Sequence, residues 1–254
     1  MLYSILGASA GAPEQLHIPD GFLSAPVAIL AWIVTIAFMV VAVRRAGREF
    51  DERLVPLMGV LAAFIFAAQA FNFPVAGGTS GHFLGGALAA ILLGPWPALL
   101  VMAAVIGLQG LVFQDGGLLA MGANIFVMGI VTVWSGYFLY QALQRVNRTV
   151  AGFAAGWLSV VLAAVVTAFL LALSGTASLG VVLTAMAGVH MLIGVGEGLI
   201  TVGALALVRA ALPGMFGEQV TGRKSDAATV IAGGIVLALV VGIVAVFFAS
   251  PHPD

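Results

Sequence analysis

Leu16-His17-Ile18-Pro19-Asp20-Gly21-Phe22-Leu23 stands directly ahead of the apolar run Ala25 to Val43, and the junction between the two decides how the chain is read. The run carries no charge and approaches the ~20 residues that cross a bilayer as a helix. The stretch before it is built differently. Pro19 has a fixed φ and no amide hydrogen, and Asp20-Gly21 is a turn signal. It reads as a rigid hook that enters the protein, not as the first turn of a helix. It also holds one of only four histidines.

Composition extends the membrane reading to the whole chain. Of 254 residues, 62% are apolar and only 7% charged, where soluble domains carry about 25% charged residues. No alternating segments of ~10 residues mark a β-barrel. The fold class is therefore all-α, a polytopic membrane bundle of seven to eight helices. Cysteine is absent, so any metal must be held by nitrogen and oxygen donors. The lack of a basic patch outside the loops gives nucleic-acid binding no support, and no Walker pattern is present.

Eight apolar runs follow one another: 25–43, 54–71, 83–94, 97–113, 122–143, 151–173, 180–208 and 228–249. The third is short, and Gly94-Pro95-Trp96-Pro97 breaks it from the fourth, so the pair is either two spans or one span with a re-entrant piece. With eight spans all nine basic residues, from Arg44 to Lys224, fall on one side. The positive-inside rule makes that side cytoplasmic and places the N-terminus outside. The outer side then receives Glu14, Asp20, Asp115 and Asp254 with no Lys or Arg. The N-terminal hook and the 72–82 and 114–121 loops share that face.

Four groups of polar residues carry the chemistry. Near a membrane surface a histidine such as His17 is ordinarily a hydrogen-bonded interfacial group; its rigid neighbours make it a candidate ligand. Asp20 either orients its imidazole or caps the helix that starts near Ser24. The segment Asn72 to His82 is too polar and glycine-rich for a span, and such backbone persists at membrane depth only when buried or lining a wet cavity. Thr79 and Ser80 are candidate caps for a helix beginning near His82. His190, Gly194, Glu197 and Thr201 share one face of a later span. Ionisable groups inside spans are costly and point to function, although a structural zipper joining Glu197 to Gln69, Gln109 or Asn124 serves equally.

The stretches His17 to Leu23, Gly78 to Gly86, Gly122-Ala123-Asn124-Ile125 and His190 with Gly194 to Gly198, in that order, resemble the CbiM/NikM family. These are the substrate-capture components of energy-coupling-factor (ECF) transporters for cobalt and nickel. The resemblance spans residues 16–215. It implies a compact bundle of about seven helices in a bacterial inner membrane, with an N-terminal segment plugging inward. It also implies a cation held by an α-amine, the next amide nitrogen and imidazole, and a second histidine. By motif these are Leu16, His17 and His82, with Asp20, Asn72, Thr79, Ser80, Asn124, His190 and Glu197 as supporting or pathway residues. Fused chelate rings of that kind lie in one plane, which suits Ni(II) and is accepted by Co(II).

The resemblance further implies that the chain is not an enzyme and has no resident cofactor. It implies a CbiQ-like coupling protein, CbiO-like ATPase subunits and a CbiN-like small subunit as partners. Transported Co(II) would feed cobalamin biosynthesis; Ni(II) would serve urease or hydrogenase. Two departures generate expectations. Residues 1–15 precede the expected amine, so they are expected to be absent from the mature protein. Residues 216–254 form a linker and the start of a helix similar to the PDGLE/CbiN module. The rival from another class is an intramembrane metalloenzyme using His190 and Glu197, for which no third ligand is evident.

Overall fold

Lipid offers no hydrogen-bond partner to an exposed backbone, so apolar runs in a membrane fold as helices. A computed structural model describes residues 17–49, 54–70, 72–75 and 79–211; the leader, Leu16 and the run 228–249 lie outside the described residues. Among the described residues there are seven helices: α1 (Ala25–Glu49), α2 (Leu54–Gln69), α3 (Gly86–Leu93), α4 (Pro95–Val112), α5 (Met121–Leu143), α6 (Arg148–Leu173) and α7 (Leu179–Ala211). Five of them, α1 and α4 to α7, are long and apolar enough to cross a membrane.

The break at Gly94 resolves as a helical hairpin. α3 has eight residues, about 12 Å of helix at 1.5 Å per residue, and cannot span. Gly94 turns the chain at φ 80°, and Pro95 opens the 18-residue α4. At this turn Trp96 packs edge-on against Trp134, with centroids 5.0 Å apart, and the Arg45 guanidinium lies 5.1 Å from the Trp96 ring centroid. The turn therefore belongs to the basic face of the bundle, as an interfacial Trp requires.

The loop after α2 is not simple coil, and no helix starts at His82. Asn72–Val75 (β1) and Thr79–His82 (β2) form a short antiparallel hairpin pairing Asn72 with His82. Pairing satisfies this polar backbone, and α3 begins four residues later at Gly86. Thr79 and Ser80 are strand residues and not caps.

Ile65, Leu88, Leu99, Met102 and Ile106 fill the middle of the bundle and are fully buried. Ile29, Leu30, Ile33 and Ile36 line an exposed face of α1, as expected of a helix solvated by lipid. Small residues set the closest approaches. Gly136 of α5 admits the backbone of Ala87 on α3, and Gly194 and Gly198 of α7 lie against Trp157 and Phe153 of α6, the mode favoured between helices in membranes.

Candidate metal centre

The hook turns as its sequence requires. The Phe22 amide donates to Pro19 O at 3.4 Å, and Gly21 takes φ 92°, a conformation glycine adopts freely. Leu23 is buried with Ala28, Ala31, Ala120 and Ala123, with Ile18 and Val27 packed against them. Polar contacts fasten the hook to the loop and helix near residue 120. Asn124 accepts from Ile18 N at 3.0 Å and donates to Ile18 O at 3.1 Å, and Gly117 N donates to the same carbonyl at 3.1 Å. Thr176 Oγ1 donates to Phe22 O. Asn124 is followed at once by a π-helical stretch, Ile125–Val131; such widened turns gather at functional sites.

This docking carries His17 inward until it is buried beside His82, with ring centroids 5.5 Å apart and planes at 63°. Two imidazoles sharing an ion at about 2 Å from each nitrogen have centroids within about 6 Å, so the separation permits a bridge. The His17 amide donates to Asp115 Oδ1 and its Nδ1 donates to Asp115 O, both at 3.2 Å. The two nitrogens that would close a six-membered chelate ring thus face the same way. Nε2 is buried with no hydrogen-bond partner. Burial pushes the His17 imidazole below its ordinary pKa, against the opposing pull of Asp115, so the ring is held neutral and able to donate electrons. His82 donates from Nδ1 to Phe83 O at 2.8 Å, which makes Nε2 its lone-pair nitrogen.

Behind His82 the main chain is gripped from two helices. Glu197 on α7 accepts from Leu84 N and Gly85 N, each at 2.8 Å, and Gln69 on α2 donates to Leu84 O at 2.8 Å.

Known proteins share this architecture. A family model described as CbiM, cobalt uptake substrate-specific transmembrane region, matches residues 17–215. The chain belongs to the CbiM family. A relative from Archaeoglobus fulgidus bearing the name of a fused nickel transport protein, NikMN, is 42% identical over 219 residues, 85% of this chain and 73% of its own. The cobalt transport protein CbiM of Sorangium cellulosum is 35% identical over 78% of this chain and 93% of its own. Among solved structures, one titled as a truncated transition metal transporter superposes with a TM-score of 0.72 at 31% identity, over 76% of this chain and 97% of that one.

Within this CbiM chain the expected residues are distributed unevenly. His17 and His82 meet. Leu16 lies outside the described residues, and Asn72, Thr79 and Ser80 are placed only as hairpin backbone. Asp20 neither orients the imidazole nor caps α1: its carboxylate accepts from Ala120 N at 3.0 Å, just ahead of α5. Glu197 and Gln69 do not pair directly; they meet through the backbone of Leu84. His190 donates from Nδ1 to Met186 O at 2.7 Å, one turn back on its own helix. Among the described residues no three His, Asp or Glu side chains gather round a common point.

Asp115, Gly116 and Gly117 join the site, although the sequence alone marks them only as part of an outer loop. Gly116, at φ 90°, brings the backbone so close that a Cβ there would lie 2.8 Å from His17 Cβ. A carboxylate followed by two glycines on the acidic face was the available signal.

Proposed function

We propose that this chain is the substrate-capture membrane component of an ECF-type ABC importer of Co(II) or Ni(II). The observation that carries the reading is the buried meeting of His17 and His82. Side chains alone supply two nitrogens here, so the remaining donors come from the main chain. They are the His17 amide nitrogen, once deprotonated, and the amine of Leu16 in a mature chain that begins there. Amine and amide would close a five-membered ring on the cation; the amide and His17 Nδ1 would close a six-membered one, with Nδ1 released from Asp115 O and its proton carried by Nε2 instead. His82 Nε2 completes the set. Nitrogen donors in a plane favour Ni(II) and accept Co(II), and relatives carry both names.

The all-acidic mouth with the hook faces outside, and the Arg45–Trp96 end faces the cytoplasm of a bacterium, by the positive-inside rule. This component binds the cation and hydrolyses nothing. Release inward would be driven by CbiO-like ATPase subunits acting through a CbiQ-like coupling protein, with a CbiN-like small subunit in the assembly. Co(II) would supply cobalamin synthesis, and Ni(II) a urease or hydrogenase. Both oxygens of Glu197 are occupied by main-chain amides, which leaves the metalloenzyme alternative without a base.

Titration of the purified protein with Co(II) and Ni(II) in competition tests the reading, alongside N-terminal sequencing. His17→Ala and His82→Ala are expected to abolish capture. Normal binding by both, or binding by a mature chain that begins at Met1, refutes the donor set.

A further inference from the structure

α3 begins inside the bundle, where its first amides have neither an intrahelical acceptor nor water. The usual remedy is a Ser, Thr, Asp or Asn side chain at the N-cap. Here the N-cap is Gly85, at φ 82° and without a side chain. No side chain caps α3; Glu197, 112 positions from Gly85 in sequence, instead takes the amides of the two residues that lead into the helix, Leu84 N and Gly85 N, on its two oxygens. A carboxylate at a helix N-terminus also complements the helix dipole.

The clamp lies two residues from His82. Leu84 is held at both its amide and its carbonyl, by Glu197 and Gln69. Gly85 is packed closely, since a Cβ there would meet the side chains of Ile65 and Phe83 at 2.9 Å. Phe83, next in line, supplies the carbonyl that orients the His82 ring. Glu197 itself sits on α7, which packs chiefly on α6. At that seam Gly156 allows the Glu197 carbonyl so close that a Cβ would lie 3.1 Å from it.

We propose that Glu197 is a positioning residue for the captured cation: by clamping Leu84 and Gly85 it sets the depth and ring orientation of His82. The same clamp ties His82 to the α6–α7 pair, so that a shift of that pair moves His82 relative to His17. The inference rests on the capture reading above and adds a means by which helix movement loosens the site.

Ni(II) is the probe, with its affinity read by calorimetry and its coordination geometry by ligand-field absorption. Glu197→Gln keeps the size but can accept from only one of the two amides. It is expected to weaken Ni(II) binding about 10- to 100-fold, the range for residues that orient metal ligands. The absorption band should shift, while helical circular dichroism and elution volume stay as in the wild type. Gln69→Leu should shift both readouts the same way, less strongly. Wild-type affinity and band in Glu197→Gln overturn the proposal; if that variant does not fold, the same result in Gln69→Leu overturns it. His82→Ala separates the two levels. Should it bind Ni(II) normally, the capture reading itself fails; should it lose Ni(II) while Glu197→Gln does not, only the positioning role fails.

Discussion

Replacing Asn124 by alanine should undock the hook without unfolding the bundle. The side chain is buried and makes two hydrogen bonds to one residue, Ile18, at 3.0 and 3.1 Å. Ile18 O keeps a second donor in Gly117 N, so little is lost there. Ile18 N has no such replacement, and an orphaned buried amide costs about 1–3 kcal/mol. Taking about 2 kcal/mol for the site, at about 1.4 kcal/mol per tenfold, the docking equilibrium constant of the hook falls roughly 30-fold. Alanine is the better helix former, so α5 gains slightly if anything. Cation affinity should drop, by at most the same factor, and the Ile18 amide should exchange with solvent about 30-fold faster. Helix content should be unchanged. Wild-type affinity in Asn124→Ala would refute the reasoning, because it would mean that docking of the hook does not limit capture.

Three further outcomes follow from the geometry. Gly117→Ala places a methyl on the carboxylate and amide of Asp20; affinity and thermal stability should both fall, while Gly107→Ala, within α4 and with open space around it, should leave affinity unchanged and lower stability not at all. Leu88→Ala, at a fully buried position of α3, should cost about 2–5 kcal/mol, read as a lower melting temperature in detergent. Acid should weaken hook docking. His17 has a folded pKa below its unfolded value of 6.5, so the unfolded state takes up the proton first. Docking is at full strength above pH 6.5 and is lost as the pH falls through and below that value. Cation affinity measured from pH 8 to pH 5 should decline over that range, with protons released on binding; a flat profile would contradict it.

Much of the site was legible before any tertiary contact was known. A proline, a turn dipeptide and an uncharged apolar run are local statements, and they specify the hook and α1. Span parity and the placement of arginines bring His17, the loop before His82 and the loop at Asp115 to one face. The Gly94-Pro95-Trp96 break marks the hairpin but leaves open whether α3 spans; its length and its buried start decide that. Asp20 departs from its local pattern. A carboxylate one turn ahead of a helix is a cap in most chains, yet this one serves the amide of Ala120, a hundred residues later.

By itself the sequence determined that this is a bundle of helices in lipid, roughly where most of its helices run and break, and that His17 and the loop before His82 belong to one face. Those properties follow from hydropathy and backbone chemistry acting within a few residues. Only the tertiary structure decided that α3 is a half-helix whose entry, at Leu84 and Gly85, is held by Glu197, that Asn124 and Asp115 hold the hook, and that Leu84 is gripped from two sides. In each case one partner is a main-chain amide or carbonyl. Every residue carries those groups, so no side chain in the sequence announces which of them will be used.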